Sequence, residues 1–211
     1  ASKPFDAEEY ELAIQTLNEF IRKYPNSKLT SDAYLKLAQS YDYLGRKKEA
    51  IPYYKKVEGD ERLKAIKGVA DLELVLEMYE DAVSDYLALK AIAPNARYEE
   101  FAYVGLMQSY LGIDDYDAVN LYANLLIDQK SSRYSNMAQL HKGMALAKQK
   151  RYSEAMQQLN YTINISGISR DGAEAQYMVG KIYREQKQYN LSVDALKSVQ
   201  KKYETFYEVI H

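Results

Sequence analysis

Histidine is the residue type around which an active site in this sequence would most simply be built. The chain has two histidines, His141 and His211. A serine hydrolase needs a histidine between a nucleophile and an orienting carboxylate. His141 is followed by Lys142 in a stretch with helical periodicity, so we expect it on a surface or in a groove; His211 is the last residue. The absence of cysteine excludes thiolate nucleophiles, thiolate metal sites and disulfides.

Acidic residues form two short clusters that could suggest calcium binding. Asp114, Asp115 and Asp117 flank a tyrosine, but the twelve-residue loop with a central glycine and a closing glutamate is missing. The second cluster, at 58–61, contains Gly59 and is typical of a turn. The sequence also lacks a glycine-rich phosphate loop. We therefore expect no catalytic residue, no metal site and no cofactor, and we predict that the protein is not an enzyme.

The composition limits the partners that the chain could have. Its 211 residues carry a formal net charge of -2, whereas a nucleic-acid surface is normally a basic patch on a basic domain. The sequence contains no run of 18 apolar residues, so we expect no transmembrane segment. The first residues, 1–4, include no initiator methionine, and we expect that this chain is a fragment of a longer protein.

A short motif recurs along the chain: a tyrosine, two further residues, then a small residue followed four and seven positions later by larger ones. The fourth copy permits two registers, with Ala118 or Val119 as the small residue, and we favour Ala118. The gaps between copies are then 37, 32, 36, 37 and 37 residues, a spacing typical of stacked helical repeats. The small residues are Ala13, Ala50, Ala82, Ala118, Ala155 and Ser192.

Each copy of the motif is preceded by a second segment with helical spacing, such as 34–41 or 179–183. Turn signals separate the copies, for example at Pro25, Gly59 and Gly167. The pattern predicts an all-α protein in which helix A, a turn, helix B and another turn repeat. We expect a single array over residues 1–211 with five to six repeats, incomplete at both ends. Residues 10–25 would be a lone helix B, and residues 203–211 an incoming helix A.

This pattern resembles the tetratricopeptide repeat family over nearly the whole chain. The match is best at 31–57 and 173–199, although Ser192 replaces the family's alanine and Pro52 lies inside a predicted helix. The resemblance implies an α-solenoid, a right-handed superhelix of helix-turn-helix repeats, that binds a peptide or a partner protein on helix A. The ligand-facing positions that it implies are Leu35 and Gln39, Lys67 and Asp71, and Tyr177 and Lys181.

Residues 13–27 and the helix that follows them are similar to a periplasmic branch of this family. That branch includes repeat proteins of the Tol–Pal envelope system and the repeat lipoprotein of the β-barrel assembly machine. The similarity implies a bacterial scaffold in the periplasm, anchored to the outer membrane through residues before Ala1. A cytoplasmic location is the alternative.

Two other functions remain open from the sequence. The array could be an accessory or regulatory module of a longer, enzymatic chain, with catalysis outside residues 1–211. A carbohydrate-uptake lipoprotein built on similar repeats is a further alternative, although such proteins carry large insertions that this sequence lacks. The full-length sequence would discriminate between these hypotheses, because a signal peptide with a lipid-attachment cysteine favours the envelope scaffold.

Overall fold

Helices make up nearly all of the regular structure in the computed structural model, which describes residues 4–129 and 133–206. These ranges contain eleven α-helices, a 3-10 helix at Gly59–Glu61 and no strand. The α-helices are α1 (Pro4–Lys23), α2 (Thr30–Tyr43), α3 (Lys47–Tyr54), α4 (Arg62–Val75), α5 (Tyr79–Ala91), α6 (Ala96–Gly112), α7 (Tyr116–Asp128), α8 (Ser135–Lys148), α9 (Tyr152–Ser166), α10 (Arg170–Glu185) and α11 (Tyr189–Lys202). The all-α prediction is confirmed.

The chain divides into two compact units, residues 1–105 and 106–211. In the first unit each helix from α1 to α5 packs on the next one along the chain. In the second unit α7 to α11 pack in the same way, and α8 also contacts α10. This serial packing is the predicted solenoid arrangement, in which neighbouring helix pairs bury a shared core. One continuous array over all 211 residues stays a prediction.

The turns between helix A and helix B share one backbone geometry. In each, the second residue before helix B has a φ between 59° and 75°, the left-handed region. The N–H of the following residue donates to the carbonyl five residues earlier, at 2.8–3.0 Å. Only one of the five left-handed residues is the glycine that this conformation favours. They are Gly45, Glu77, Asp114, Lys150 and Lys187.

Replacing Lys187 with glycine is expected to stabilise the second unit by about 1 kcal/mol. A left-handed conformation destabilises a residue with a Cβ by roughly 1–2 kcal/mol, and glycine avoids this cost. The greater conformational entropy of glycine in the unfolded state offsets only part of the gain. Lys187 is exposed, so its side chain contributes little packing. Chemical denaturation of Lys187→Gly and Lys187→Ala measures the effect. The alanine control also lacks the lysine but keeps a Cβ, and an equal gain in both variants would contradict the explanation.

The fourth copy of the motif has a different register from the one predicted. Val119 is fully buried, whereas Ala118 is only partly buried. α7 begins at Tyr116, so Val119 is its fourth residue, as Ala82 is the fourth residue of α5. The prediction of Ala118 was wrong because it preferred the smaller side chain to the spacing of the motif: Val119 follows Tyr116 by three residues, as Ala82 follows Tyr79.

The two incomplete ends of the predicted array are only partly described. α1 precedes the first helix A and packs on it, as expected for a lone helix B. At the other end Tyr203 is buried and caps α11, and residues 204–206 are helical. Residues 207–211 of the predicted incoming helix lie outside the described residues. Pro52 lies inside α3 as predicted, and α3 has eight residues.

Candidate functional site

An open groove of about 660 Å³ lies between α1 and α2 in the first unit, and we call it the α1–α2 groove. Leu12 and Tyr43 stand at its edges with 64% and 71% of their surfaces exposed. The Tyr43 ring stacks on Tyr10, with the ring centres 4.8 Å apart. The lining residues are Glu9, Tyr10, Leu12, Ala13, Thr16 and Leu17 from α1, and Lys36, Gln39, Ser40 and Tyr43 from α2.

Helical periodicity explains why these residues share a surface. On α2 the lining positions are 36, 39, 40 and 43, and on α1 they include 9, 12, 13 and 16. Residues three, four and seven apart lie on one face of an α-helix. The two faces meet because α1 packs directly on α2. The groove is therefore formed by rigid helices, and no flexible loop contributes to its lining.

The chemistry of the groove suits binding of apolar side chains. Its floor and edges are aliphatic and aromatic, with amide and hydroxyl groups from Gln39, Thr16 and Ser40 between them. The charge of Lys36 is compensated by Asp32 on the same helix, with Nζ 2.8 Å from Oδ2. An exposed apolar surface of this kind is typical of an interaction site.

Of the first predicted pair of ligand-facing residues, only Gln39 lies on an accessible surface. Gln39 is exposed and lines the α1–α2 groove. Leu35 is 4% exposed and belongs to the core of the first unit, which also contains Ile14 and Leu37. Its side chain therefore offers little surface to a partner. The resemblance placed it on the ligand-facing side because it identifies positions by sequence spacing alone.

The second predicted pair, Lys67 and Asp71, lies on α4 and forms an ion pair of 2.8 Å. The ammonium of Lys67 also lies 3.9 Å from the centre of the Phe101 ring. The Tyr86 hydroxyl donates to Asp71 at 2.8 Å, and its burial beside that carboxylate raises the pKa of Tyr86. Both predicted residues are partly exposed but already engaged within the first unit, and their role in binding stays a prediction.

The third predicted pair, Tyr177 and Lys181, lies on α10 in the second unit. The Lys181 ammonium is 5.6 Å from the centre of the Tyr177 ring. Lys181 also lines a cavity of about 290 Å³ between α8 and α10. The structure thus keeps each predicted pair together on its own helix, and only Gln39 contributes to the α1–α2 groove.

A buried charged cluster in the first unit was not anticipated from the sequence. The Glu73 side chain is 0% exposed, and its Oε1 lies 2.7 Å from Lys55 Nζ. The same ammonium is 3.4 Å from Asp85 Oδ2. Burial raises the pKa of Glu73 to about 7, against the lowering effect of Lys55 and with a further rise from Asp85. We call these three residues the Glu73 cluster.

A signal for the Glu73 cluster was present in the sequence. Counted from the left-handed turn residue, Glu73 occupies the position that Tyr41, Tyr110 and Tyr183 occupy in other repeats. A carboxylate at a packing position must be paired or protonated, because burying an isolated charge is very unfavourable. Aligning the repeats on the small residue of helix B would therefore have indicated a special site at Glu73, which lies nine residues before Ala82 as Tyr41 lies nine residues before Ala50.

Of the two histidines considered as active-site candidates, the structure describes His141, and His211 lies outside the described residues. His141 is 8% exposed and was wrongly expected on a surface or in a groove. Its Nδ1–H donates to the Met137 carbonyl at 2.8 Å, and burial lowers its pKa. Within residues 4–129 and 133–206, His, Asp and Glu side chains form no cluster suited to a metal ion. Of the helices described, none combines the length and apolar character that crossing a membrane requires.

Comparisons with known proteins identify the repeat. A family model described as tetratricopeptide repeat matches residues 31–58. A second model with the same description matches residues 5–27 and 174–205. These segments thus match the repeat that the resemblance implied, and such repeats are typical of scaffolds for protein or peptide interaction. No curated protein sequence matches this chain significantly.

Solved structures of repeat proteins share the fold at low sequence identity. A tetratricopeptide repeat protein from Parabacteroides merdae is 17% identical, with a TM-score of 0.71 over 93% of this chain and 80% of that one. YrrB, a tetratricopeptide repeat protein with an unusual peptide-binding site, is 17% identical, with a TM-score of 0.56 over 89% of this chain and 92% of that one. MamA is 14% identical, with a TM-score of 0.56 over 82% of this chain and 97% of that one. At these identities the likeness concerns the fold alone.

Proposed function

We propose that this protein, which contains segments that match tetratricopeptide repeats, is a non-enzymatic scaffold that binds a peptide segment or partner protein in the α1–α2 groove. The observation that carries the proposal is the groove itself, an open apolar surface of about 660 Å³ with Tyr43 71% exposed at its edge. Exposed apolar and aromatic side chains are unfavourable in water, and burying their apolar surface against a partner contributes about 25 cal/mol per Å² to the free energy of binding. Tyrosine is also one of the residue types enriched among binding hot spots.

The electrostatics of the groove favour an uncharged or weakly amphipathic ligand. Lys36 is compensated by Asp32, and Glu9 is the other charged residue of the described lining, so the groove carries only a weak negative charge with which to steer a charged segment. Gln39 can both donate to and accept from a partner backbone. Affinity would then come from apolar burial and orientation from the Gln39 amide, as in other largely apolar binding sites.

We expect the groove variants Tyr43→Ala and Gln39→Ala to bind selected peptides at least tenfold more weakly. Both side chains are exposed, so their truncation should leave the fold intact. Peptides are selected from an unbiased linear library on the unmodified protein, and affinities are measured by fluorescence polarisation. Tyr161→Ala is the control, because Tyr161 is 51% exposed on α9 and lies outside the groove and the predicted ligand-facing positions. Equal affinities in all four proteins would exclude the α1–α2 groove as the binding site.

We also propose that the scaffold works in the bacterial envelope, in the periplasm and anchored at the outer membrane. The support is the similarity of residues 13–27 and the following helix to the periplasmic branch of the family. The parent gene tests this proposal: a signal peptide followed by a lipid-attachment cysteine is expected upstream of Ala1. A neighbouring catalytic domain would instead support an accessory module of an enzyme.

A further inference from the structure

The helix pair α9–α10 in the second unit is an internal equivalent of the pair α1–α2. Residues in corresponding positions are 142 apart in both helices, so Tyr10 corresponds to Tyr152 and Tyr43 to Glu185. Both corresponding pairs are in contact. Tyr10 stacks on Tyr43 at 4.8 Å, and the Tyr152 hydroxyl donates to Glu185 at 2.7 Å. The surface of α9–α10 therefore shows how the surface of α1–α2 can be covered.

In the second unit this surface is covered by α8, which packs on both α9 and α10. The approach to α9 is close, since a Cβ on Gly143 would lie 2.7 Å from Leu159 Cδ2. Beside it the Gln158 amide donates to Gln139 Oε1 of α8 at 2.7 Å. As a result Ala155 and Leu159 are fully buried. α8, with a glycine at the point of closest approach, thus covers the surface between α9 and α10.

The other side of α8 faces α10 across the enclosed cavity. Met144 and Ala147 of α8 line this cavity opposite Met178 and Ile182 of α10. The α10 residues that meet α8 correspond, 142 positions earlier, to residues of α2 that line the α1–α2 groove. Met178, Lys181, Ile182 and Glu185 correspond in this way to Lys36, Gln39, Ser40 and Tyr43.

The floor of the α1–α2 groove corresponds to the floor that α8 seals. Ala13 and Leu17 correspond to Ala155 and Leu159 and line the groove, where both are only partly buried. In the described part of the first unit, no helix takes the place that α8 takes in the second. The groove is thus shaped for a helix of about 14 residues, or about 21 Å, like α8.

We propose that the occupant of the α1–α2 groove is an amphipathic α-helix of a partner protein, seated as α8 is seated on α9–α10. This inference rests on the proposed function and specifies the class of partner. We expect the partner helix to carry a glycine or alanine where it contacts Leu17. One turn later it should carry apolar residues that contact α2.

A second copy of this chain cannot supply α8 itself, because Ala138, Leu140 and Ala145 of α8 are buried within its own unit. Because α8 directly precedes α9 in the chain, a helix encoded before Ala1 is the other candidate for this seat. A parent protein in which such a helix fills the groove and prevents peptide binding would overturn the proposal of a partner helix.

A displayed peptide library built on the α8 sequence tests the binding mode. The 14-residue frame of residues 135–148 is kept, and the positions of Leu140, Met144 and Ala147 are randomised. Because the chain has no cysteine, Glu9→Cys gives a single labelling site in the groove that keeps Gln39 and Tyr43, and Lys181→Cys gives a control site on α10. We expect selected peptides to change the fluorescence of the label at position 9, to leave the label at 181 unchanged and to gain helical circular dichroism on binding.

Two peptide variants separate a helix from an extended segment. Proline at the position of Met144 breaks the helix, and leucine at the position of Gly143 prevents close approach. Each is expected to weaken binding at least tenfold. Peptides that keep their affinity with the central proline would overturn the helical mode while leaving the groove as a binding site. Failure to select any peptide in either library would overturn both proposals.

A protein variant provides an independent test of the geometry. Ala13→Leu fills the floor of the open groove, so we expect at least tenfold weaker peptide binding and an unchanged melting temperature. Ala155→Leu makes the same change beneath α8, where the floor is already covered, and should lower the melting temperature. Unimpaired peptide binding by Ala13→Leu would contradict the proposed seat of the helix.

Discussion

Replacing Gly105 with alanine is expected to destabilise the first unit by about 2 kcal/mol. A Cβ at this position would lie 2.2 Å from Cζ of Tyr86 and within 2.4 Å of two further ring carbons. Overpacking a tight core typically costs 1–3 kcal/mol, and the added methyl meets a rigid ring here, so the gain in helix propensity of about 1 kcal/mol will not offset it. Chemical denaturation followed by circular dichroism measures the loss.

The Tyr86 ring cannot move aside easily. Tyr86 is 2% exposed, its hydroxyl donates to Asp71 at 2.8 Å, and its ring packs against Phe101 at 6.2 Å between centres. Relief of the clash would require the ring to leave the position fixed by these contacts. The hydrogen bond to Asp71 or the contact with Phe101 would then be lost, which adds to the cost of the substitution.

Gly180→Ala is the matched control for this prediction. A Cβ on Gly180 would lie 2.7 Å from Cδ2 of Leu196, the flexible end of an aliphatic side chain. A leucine methyl can rotate away, so we expect a loss at least 1 kcal/mol smaller than for Gly105→Ala. In the background Tyr86→Ala the Gly105→Ala substitution should become neutral or stabilising. A loss that persists without the ring would contradict the steric explanation.

The helices can be predicted from the sequence because the residue pattern that specifies each helix lies within that helix. Apolar residues recur at helical spacing in every repeat, and small residues such as Ala50, Ala82 and Ala155 are fully buried at the predicted positions. The turns were harder to predict. Only Gly45 carries a visible signal for a left-handed residue, whereas Lys150 and Lys187 adopt the same conformation because the flanking helices impose it.

The candidate site was harder to predict because it depends on which surfaces remain uncovered. Gln39 and Leu35 lie on the same helix, yet one lines a groove and the other lies in the core. Lys181 has a position equivalent to that of Gln39, but α8 packs on α10 beside it. Periodicity assigns residues to a helix face, and only the packing of neighbouring helices decides whether that face is open.

The Glu73 cluster should make the stability of the first unit depend on pH. The pKa of Glu73 is raised from 4.5 to about 7, so the folded state binds a proton more tightly than the unfolded state. The contribution of Glu73 to the free energy of unfolding is therefore greatest below pH 4.5 and decreases as the pH rises toward 7. The loss is on the order of 3 kcal/mol. Glu73→Gln should abolish this slope and be more stable than the unmodified protein at pH 8.

Replacing Lys55 with methionine is expected to destabilise the first unit by about 2 kcal/mol at pH 8 and by much less at pH 5. At pH 8 the Glu73 carboxylate of the unmodified protein is ionised and paired with the ammonium 2.7 Å away. Without Lys55 the pKa of Glu73 rises further beside Asp85, so folding at pH 8 requires either an unpaired buried carboxylate or the uptake of a proton, and both lower the stability. Breaking a buried pair typically costs 3–5 kcal/mol, reduced here because Lys55 is 46% exposed. At pH 5 a protonated Glu73 needs no cation. Urea denaturation at both pH values measures the difference.

The same substitution in an exposed pair controls for the loss of a surface lysine. Lys36 pairs with Asp32 at 2.8 Å, but both side chains are largely in water, with 60% and 43% of their surfaces exposed. Lys36→Met should therefore cost at most about 1 kcal/mol, with no marked difference between pH 5 and pH 8. The double variant Lys55→Met with Glu73→Gln should regain most of the stability lost at pH 8. A deficit that stayed the same at both pH values, or that Glu73→Gln left in place, would show that Lys55 stabilises the unit through packing of its aliphatic stem rather than through the buried carboxylate.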